Sequence, residues 1–218
     1  MKNILITGGI GFIGSHTCLE ILEEGFNITI IDSLNNSSKA ALKGIKEILQ
    51  LANNYDETKI SFYKGDIRNT DFLREVFLEA KKKNNPIDGV IHFAGLKAVR
   101  ESILKPILYW DVNVNGSINL LKIMEENNCT TILFSSSATV YGNSQEIPFK
   151  ESASIKPCNT YGYTKAAVEN ILNNIFNADP LRWRIINLRY FNPIGSHPSG
   201  LIGENPNNKP ENIFPYIC

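Results

Sequence analysis

The 218-residue sequence predicts an α/β protein with a doubly wound parallel sheet. Three observations predict this fold. Short apolar runs alternate with segments of helical periodicity from the first residues onward, glycines follow the first apolar run, and an aspartate ends the second. Short, nearly continuous apolar runs are typical of parallel strands that helices cover on both faces. Regular alternation of strands with helices is the pattern of a doubly wound sheet.

The first predicted elements surround a glycine-rich turn. Residues 4–7 form an apolar run that ends at glycines, so we expect a buried strand there. Residues 12–24 then repeat apolar side chains at helical spacing, which predicts a helix. Residues 28–31 are all β-branched, which favours a second strand that ends at Asp32.

The rest of the chain repeats this alternation. In chain order we expect a helix over 40–51, a strand over 60–64, a helix over 72–80, a strand over 89–93, a helix over 106–126, a strand over 131–134, a helix over 161–176 and a strand over 184–188. Residues 1–190 are therefore predicted to form one Rossmann-like domain. From residue 192 onward the tail has five prolines and no clear period, so we expect loops that lead into a further unit.

Composition excludes several classes of protein. The 22 basic and 22 acidic side chains balance, whereas a nucleic-acid-binding protein normally has a basic excess. The sequence has no run of eighteen apolar residues, so no membrane-spanning helix is expected. The short apolar N-terminus is interpreted as a strand rather than a signal peptide. We therefore expect a cytoplasmic protein. The four cysteines and three histidines show no metal-ligand spacing, and no disulfide framework or metal site is expected.

The glycine turn is the first candidate site. Gly8, Gly11 and Gly14 follow the first strand and open the first helix, in a GxxGxxG spacing. Glycine lets the backbone approach a pyrophosphate, and the start of a helix offers free N–H groups and the positive end of the helix dipole. An ordinary strand-to-helix turn is the alternative, but the position after the first strand favours a dinucleotide site.

Two aspartates follow later strands. Asp32 ends the second strand, where a carboxylate binds the adenosine ribose hydroxyls and repels a 2′-phosphate. No arginine follows at residues 33–38, so NAD is favoured over NADP. Asp66 comes after the third strand and is a candidate partner of the adenine amino group, with a simple surface-loop aspartate as the alternative.

A tyrosine and a lysine four residues apart are the candidate catalytic pair. Tyr161 and Lys165 lie on one face of a predicted helix, and a lysine ammonium near the hydroxyl is expected to lower the tyrosine pKa. Such a phenolate can take a proton from a substrate hydroxyl as a hydride leaves carbon. The same spacing in Tyr55 and Lys59 lies in a polar connection and is interpreted as surface. Ser137 lies in the run of three serines at the end of the strand predicted over 131–134, at the edge where open α/β sheets bind ligands.

Eight segments in order carry a resemblance to a known family: TGGIGFIGSHT, IDSLNNS, GDIRN, HFAGLKAVRES, FSSSATVYG, YGYTK, LRYFNPIG and LIGENP. Together they closely resemble the UDP-glucose 4-epimerases, which are extended short-chain dehydrogenases/reductases. The resemblance implies tightly held NAD and interconversion of UDP-glucose and UDP-galactose through a 4-keto sugar. It makes Tyr161 the base, Lys165 the ligand of the nicotinamide ribose, and Ser137 the partner of the sugar 4-oxygen.

The resemblance also assigns binding positions and a partner. The matched cofactor positions are Gly8, Gly11, Phe12, Ile13, Asp32, Asn36, Ser37, Asp66, Ile67, Phe93, Ala94, Gly95, Lys97, Tyr161, Lys165 and Tyr190. The matched sugar-nucleotide positions are Ser137, Phe191, Asn192, Asn212 and Ile213. The family implies a homodimer through the helices of residues 97–126 and 161–176, where Ile118, Leu121, Ile171 and Leu172 face either a partner or the sheet.

The sequence departs from the family pattern in a few places. Val112 stands where some members have a cofactor-contacting asparagine, and the next residue, Asn113, is expected to supply that role. Glu211 stands where an asparagine is usual, and a carboxylate there repels phosphate. Residues 40–59 are longer than in compact bacterial members. Family members continue into a smaller substrate domain, so we expect residues 191–218 to be its truncated beginning and the chain to be a fragment.

Two other functions remain open. A nucleotide-sugar 4,6-dehydratase needs an acidic Asp-Glu pair after the strand serine, and this sequence has Ala138 and Thr139 there. The second alternative is a truncated protein that binds NAD without turnover. The glycine turn fits this alternative equally well, but such a protein has no use for Ser137, Tyr161 and Lys165.

Overall fold

The fold places six parallel strands in one sheet. A computed structural model describes residues 2–144 and 147–204. The strands are β1 (Asn3–Thr7), β2 (Asn27–Asp32), β3 (Ile60–Lys64), β4 (Ile87–His92), β5 (Thr131–Ser137) and β6 (Arg184–Tyr190). Their order in the sheet is β3-β2-β1-β4-β5-β6, and every pairing is parallel. The predicted doubly wound parallel sheet is confirmed.

The helices lie on both faces of the sheet. They are α1 (Phe12–Glu23), α2 (Lys39–Leu51), α3 (Thr70–Lys82), α4 (Val99–Leu104), α5 (Pro106–Tyr109), a π-helix (Trp110–Asn115), α6 (Gly116–Glu126) and α7 (Thr160–Ala178), with 3₁₀ turns at Glu57–Lys59 and Ala138–Tyr141. One apolar core packs α1 and α2 against the sheet, and the other packs α3, α6 and α7 against the opposite face. No helix of the described residues is long and apolar enough to cross a membrane.

The helix predicted over 106–126 spans those residues, but it is not a regular α-helix throughout. Residues 106–109 form a single α-turn, Trp110–Asn115 follow as a π-helix, and α6 begins only at Gly116. A π-turn inserts an extra residue per turn and shifts the side chains that follow it. The shift turns Val112 toward the carboxyl ends of the strands and leaves Asn113 buried. Leu, Ile and Met at helical spacing do not reveal this local change of period.

Strands β5 and β6 extend beyond their predicted ends. The sequence predicted β5 to end at residue 134, but the ladder continues through the three serines to Ser137. Ser137 pairs with Tyr190, so the last residues of the two strands stand side by side. Serine has a weak strand preference, and the pairing with β6 overrides it. The extension places Ser137 at the edge of the sheet where parallel strands end.

The end of the described chain returns to the sheet. Ile202 is 3% exposed and belongs to the core that contains α1 and α2. A Cβ on Gly44 of α2 would collide with the carbonyl of Leu201, so this close approach needs glycine. The domain division predicted at residue 190 coincides with the last residue of β6 and stays a prediction.

Candidate active site

A cleft of about 720 Å³ lies at the carboxyl ends of the strands. It spans the point between β1 and β4 where the strand order reverses, which is where open α/β sheets bind ligands. Its volume lies within the range of small-molecule and cofactor sites. The predicted site residues that line it are Gly8, Gly11, Phe12, Ile13, Asp32, Asn36, Ser37, Asp66, Ile67, Phe93, Ala94, Gly95, Lys97, Ser137, Tyr161, Lys165, Tyr190, Phe191 and Asn192.

Three predicted positions are not in this lining. Asn212 and Ile213 lie outside the described residues, as does Glu211. Asn113 is 3% exposed, and its amide is used by the loop that follows β4: Oδ1 accepts from the Leu96 N–H at 2.8 Å, and Nδ2 donates to the Leu96 carbonyl at 3.0 Å. Val112 lines the cleft instead. Asn113 therefore supports the Gly95–Lys97 loop from the side that faces away from the cleft. A direct contact of Asn113 with the cofactor stays a prediction.

The glycine turn has the geometry that a diphosphate needs. Gly8 has φ +68°, and a Cβ on it would lie 2.8 Å from the Ala94 nitrogen, so a side chain there is both strained and blocked. A Cβ on Gly14 would collide with the Gly8 carbonyl. Helix α1 begins at Phe12 with no side-chain cap and no acidic residue in its first turn. Its first N–H groups and the positive end of its dipole therefore face the cleft without a competing carboxylate.

Asp32 is held in a fixed orientation at the end of β2. It is 7% exposed, and its Oδ1 accepts from the Ser37 hydroxyl at 2.6 Å and from the Leu34 N–H at 3.0 Å. Its Oδ2 accepts a longer bond, of 3.3 Å, from the Ile10 N–H. The donors fix the plane of the carboxylate beside the glycine turn. A fixed buried negative charge at this place suits a ribose diol and repels a phosphate.

Asp66 has a partner that the sequence analysis missed. Arg68 lies 2.6 Å from its carboxylate and also reaches Asp111 of the π-helix at 2.7 Å. The Arg68 guanidinium holds the pKa of Asp66 below its usual range, and Asp111 responds in the same direction to the same cation. Asp66 therefore remains ionised beside the cleft, and the proposed adenine contact stays a prediction. The charged residue two positions after Asp66 was the available signal for this pair.

Tyr161 and Lys165 both line the cleft, with the Lys165 Nζ 5.9 Å from the centre of the Tyr161 ring. Burial raises the pKa of Tyr161, and its hydrogen bond with Ser137 lowers it. The expectation that Lys165 brings the Tyr161 pKa down is therefore wrong for the protein chain alone. The cost of burying a phenolate outweighs the neighbouring groups.

Lys165 is itself a buried cation. It is 5% exposed, and its Nζ donates to the Ser135 carbonyl at 2.7 Å and lies 4.8 Å from the centre of the Phe134 ring. Burial lowers its pKa from 10.5 to about 8, and Glu169 opposes that effect. The ammonium is thus retained near neutral pH, but by a smaller margin than for an exposed lysine.

Ser137 is the last residue of β5 and lies close to Tyr161. It is 8% exposed, and its Oγ accepts from the Thr139 N–H at 3.2 Å while the Thr139 hydroxyl donates to it at 3.0 Å. With both acceptor positions engaged, the Ser137 proton is available to donate. Helix α7 begins nearby, where the Tyr161 N–H donates to the Ser102 hydroxyl of α4 at 3.1 Å. The side chains of Ser137 and Tyr161 share a hydrogen bond.

His92 is a core residue, as its place in an apolar strand predicted. Its Nδ1 lies 2.6 Å from the Thr7 hydroxyl and its Nε2 lies 2.9 Å from the Ser117 hydroxyl. Burial, with a smaller effect of the Lys165 charge, lowers its pKa to about 3. The imidazole is therefore neutral, and both nitrogens are satisfied. The described residues contain no cluster of three or more acidic, histidine or cysteine side chains able to hold a metal ion.

Two further features were not predicted from the sequence. Ser196 and residues 200–204 line the cleft on the side of the glycine turn, and Glu204 reaches Lys97 at 3.1 Å. Behind the candidate pair Tyr161 and Lys165, Glu169 and Arg189 form a buried ion pair at 2.8 Å. The signal for Glu169 was its position four residues after Lys165, on the same face of α7.

The comparisons with known proteins agree with this geometry. A family model described as GDP-mannose 4,6 dehydratase matches residues 5–213. A UDP-glucose 4-epimerase of Neisseria meningitidis serogroup A is 50% identical over 219 residues, which cover 100% of this chain and 61% of that protein. UDP-glucose 4-epimerase 2 of Oryza sativa subsp. japonica is 45% identical, over 100% of this chain and 51% of that protein.

Solved structures give the same result. The crystal structure of UDP-glucose 4-epimerase from Bifidobacterium longum in complex with NAD⁺ and UDP aligns with a TM-score of 0.90 and 44% identity, over 99% of this chain and 61% of that one. This chain thus spans between about half and three-fifths of the length of these relatives. The chain belongs to the extended short-chain dehydrogenase/reductase family that the GDP-mannose 4,6 dehydratase model describes.

Proposed function

We propose that this chain is the NAD-binding part of a UDP-glucose 4-epimerase, an isomerase of galactose metabolism that interconverts UDP-glucose and UDP-galactose. The observation that carries the proposal is the meeting of Ser137, Tyr161 and Lys165 in one cleft with the glycine turn and Asp32. The identity of 44–50% to epimerases of Neisseria and Bifidobacterium supports it.

The residues of the cleft fit NAD. The glycine turn, which has no room for a Cβ at Gly8, would hold the pyrophosphate, and Asp32 would hold the adenosine ribose. When bound, NAD supplies a hydride acceptor and then a hydride donor at C4 of the sugar, so it is regenerated in each turnover. Lys165, buried beside the Ser135 carbonyl, is expected to bond the nicotinamide ribose.

The chemistry of the protein itself is proton transfer. Tyr161 takes the proton of the sugar 4-hydroxyl and later returns it, while Ser137 donates a hydrogen bond to the same oxygen. Burial raises the pKa of Tyr161, so the phenolate depends on every favourable charge around it. Lys165 is the buried cation that faces the tyrosine ring. The hydrogen bond with Ser137 lowers the pKa of Tyr161.

The UDP-sugar is proposed to lie beyond the end of β6. Phe191 is 61% exposed at the rim of the cleft, and Asn192 follows it in the lining. An exposed aromatic side chain beside amide groups suits a sugar nucleotide, which presents apolar ring faces and hydroxyls. The predicted contacts of Asn212 and Ile213 belong to this part of the proposal.

We also propose that the protein acts as a homodimer in the cytoplasm. Leu121 and Leu172 belong to the core that faces the sheet, so they do not form the dimer surface. A different set of apolar side chains is exposed along α4, α5 and the start of the π-helix: Val99, Ile103, Leu104, Ile107 and Trp110. An exposed apolar row of this kind is typical of an interaction surface.

The 4,6-dehydratase alternative lacks its acid–base pair. The 3₁₀ turn that follows Ser137 presents Ala138 and Thr139, neither of which can transfer a proton in the way that a carboxyl group does. The description of the family model names such an enzyme, but nothing in this turn favours that activity.

Turnover by the purified chain tests the proposal. The chain is incubated with NAD and UDP-galactose, and UDP-glucose is measured with a coupled dehydrogenase. We expect conversion by the wild-type chain and none above background by the Tyr161→Phe variant. NAD binding with no conversion would instead support a binding protein without turnover, and a 4-keto-6-deoxy product would support the dehydratase.

A further inference from the structure

A buried polar cluster lies directly behind the catalytic pair. Glu169 is 1% exposed and follows Lys165 by one turn of α7. Its carboxylate accepts a hydrogen bond from the Ser136 hydroxyl and two from Arg189, from Nε at 3.0 Å and from Nη2 at 2.8 Å. Arg189 donates further bonds from Nη1 to the Tyr141 hydroxyl at 2.9 Å and to the Glu151 carbonyl at 3.0 Å.

This cluster joins every segment that carries a catalytic residue. Ser136 precedes Ser137 on β5, Tyr141 ends the 3₁₀ turn that follows it, and Arg189 precedes Tyr190 on β6. Glu169 lies on the helix that carries Tyr161 and Lys165. A buried ion pair adds little to stability in general, because desolvation offsets the attraction between the charges. In this protein the pair instead links α7 to β6 and places a buried negative charge on the helix that carries Lys165.

We propose that Glu169, clamped by Arg189, is a positioning residue that keeps Lys165 charged and holds it in register with Ser137 and Tyr161. The proposal deepens the proposed function, and its kinetic part rests on it. Glu169 touches neither the sugar nor the nicotinamide positions of the cleft, since it is absent from the lining. It acts through Lys165 and through the backbone of β5.

The charges around Lys165 support this role. From β4, His92 faces it as a neutral ring, because its pKa is about 3. From β6, Arg189 is already paired with Glu169. On α7 itself, the Tyr161 ring centre lies 5.9 Å from Nζ, and Glu169 follows Lys165 by four residues on the same face of the helix. Burial lowers the pKa of Lys165, and Glu169 is the group that raises it.

The test is the pKa of Lys165, measured in the NAD-loaded protein by NMR of ¹³C,¹⁵N-labelled lysine and assigned with Lys165→Met. We expect Glu169→Gln to lower it by about one unit, because an opposite charge at close range moves a pKa by about 1–3 units. The matched control is Glu126→Gln, which removes a carboxylate from the exposed ion pair with Arg74 and should leave Lys165 unchanged.

Kinetics provide the second readout. In Glu169→Gln the alkaline limb of turnover against pH should move to lower pH by the same amount. Turnover at pH 7 should fall about twofold, because a Lys165 pKa lowered from about 8 to about 7 leaves half of the lysine protonated. Glu169→Asp keeps the charge, so its alkaline limb should stay at the wild-type pH even if its turnover falls. A merely structural role for Glu169 would lower turnover without moving the limb.

The double variant Glu169→Gln/Arg189→Met guards against misfolding, because it leaves no unpaired charge at the site. It should show a smaller fall in the Lys165 pKa than the single variant, because removal of the Arg189 cation favours the ammonium. An unchanged Lys165 pKa in the folded single variant, or a pKa in the double variant that does not fall below the wild-type value, would overturn the proposal. Absence of turnover in the wild-type protein would contradict the proposed function, while the NMR measurement would still decide the role of Glu169.

Discussion

Replacing Lys165 with methionine should stabilise the protein while it abolishes turnover. Lys165 is 5% exposed, and burial lowers its pKa from 10.5 to about 8. Since a tenfold change in proton affinity corresponds to about 1.4 kcal/mol, the folded state is destabilised by about 3 kcal/mol when it holds the ammonium. Methionine avoids this cost, but it leaves the Ser135 carbonyl without the Nζ donor, which costs about 1 kcal/mol. The net gain expected at pH 7 is about 2 kcal/mol.

The stability difference between Lys165→Met and the wild type should depend on pH in a definite direction. Below pH 8 the lysine is protonated in both states, so the burial cost is fully present in the wild-type protein. Between about pH 8 and pH 10.5 the unfolded chain binds more protons than the folded one, so wild-type stability rises with pH. The advantage of Lys165→Met should therefore be constant below pH 8 and shrink through this window.

Urea unfolding at a series of pH values measures this difference. The matched control is Lys59→Met, because Lys59 occupies the other tyrosine–lysine spacing of the sequence but is only half-buried in a 3₁₀ turn. We expect a change within about 0.5 kcal/mol for this variant, as for most surface substitutions. A Lys165→Met variant that is less stable than the wild type at pH 7, or whose advantage grows from pH 8 to pH 10, would refute the reasoning.

Three other predictions follow from the site. Tyr161→Phe should retain NAD and lose turnover by several orders of magnitude; near-normal turnover would remove the proposed base. Asp32→Ala should weaken NAD binding, measured by calorimetry, and relax discrimination against NADP, whereas an unchanged preference would count against the ribose role. Ile107→Lys, at a side chain that is 84% exposed, should convert a dimer to a monomer in sedimentation experiments without unfolding it, and an unaltered dimer would move the interface elsewhere.

Much of the fold follows from local patterns of the sequence. Residues 5–7 and 28–31 are buried on both faces of the sheet, so their short apolar runs predict strands. The glycine turn was predictable because Gly8 needs a positive φ and a close approach to Ala94. Its meeting with Asp32 follows from the parallel pairing of β1 with β2, which brings the ends of the two strands to one edge.

Other features depend on contacts that no local pattern encodes. The three serines at the end of β5 form a strand because β6 pairs with them, with Ser137 opposite Tyr190. The π-helix changes the period inside a segment whose apolar residues repeat at ordinary helical spacing, and it places Val112 rather than Asn113 in the lining of the cleft. The raised pKa of Tyr161 reflects its burial, which spacing along a helix does not report.

The fate of an isotope at C4 of the sugar tests the central claim most directly. UDP-galactose deuterated at C4 is converted by the NAD-loaded protein in ordinary water, and the UDP-glucose formed is analysed by NMR and mass spectrometry. If Tyr161 removes only the hydroxyl proton while the carbon-bound hydrogen passes to the nicotinamide and returns, the product keeps its deuterium at C4. Deuterium lost to water, or found at C6, would contradict this account.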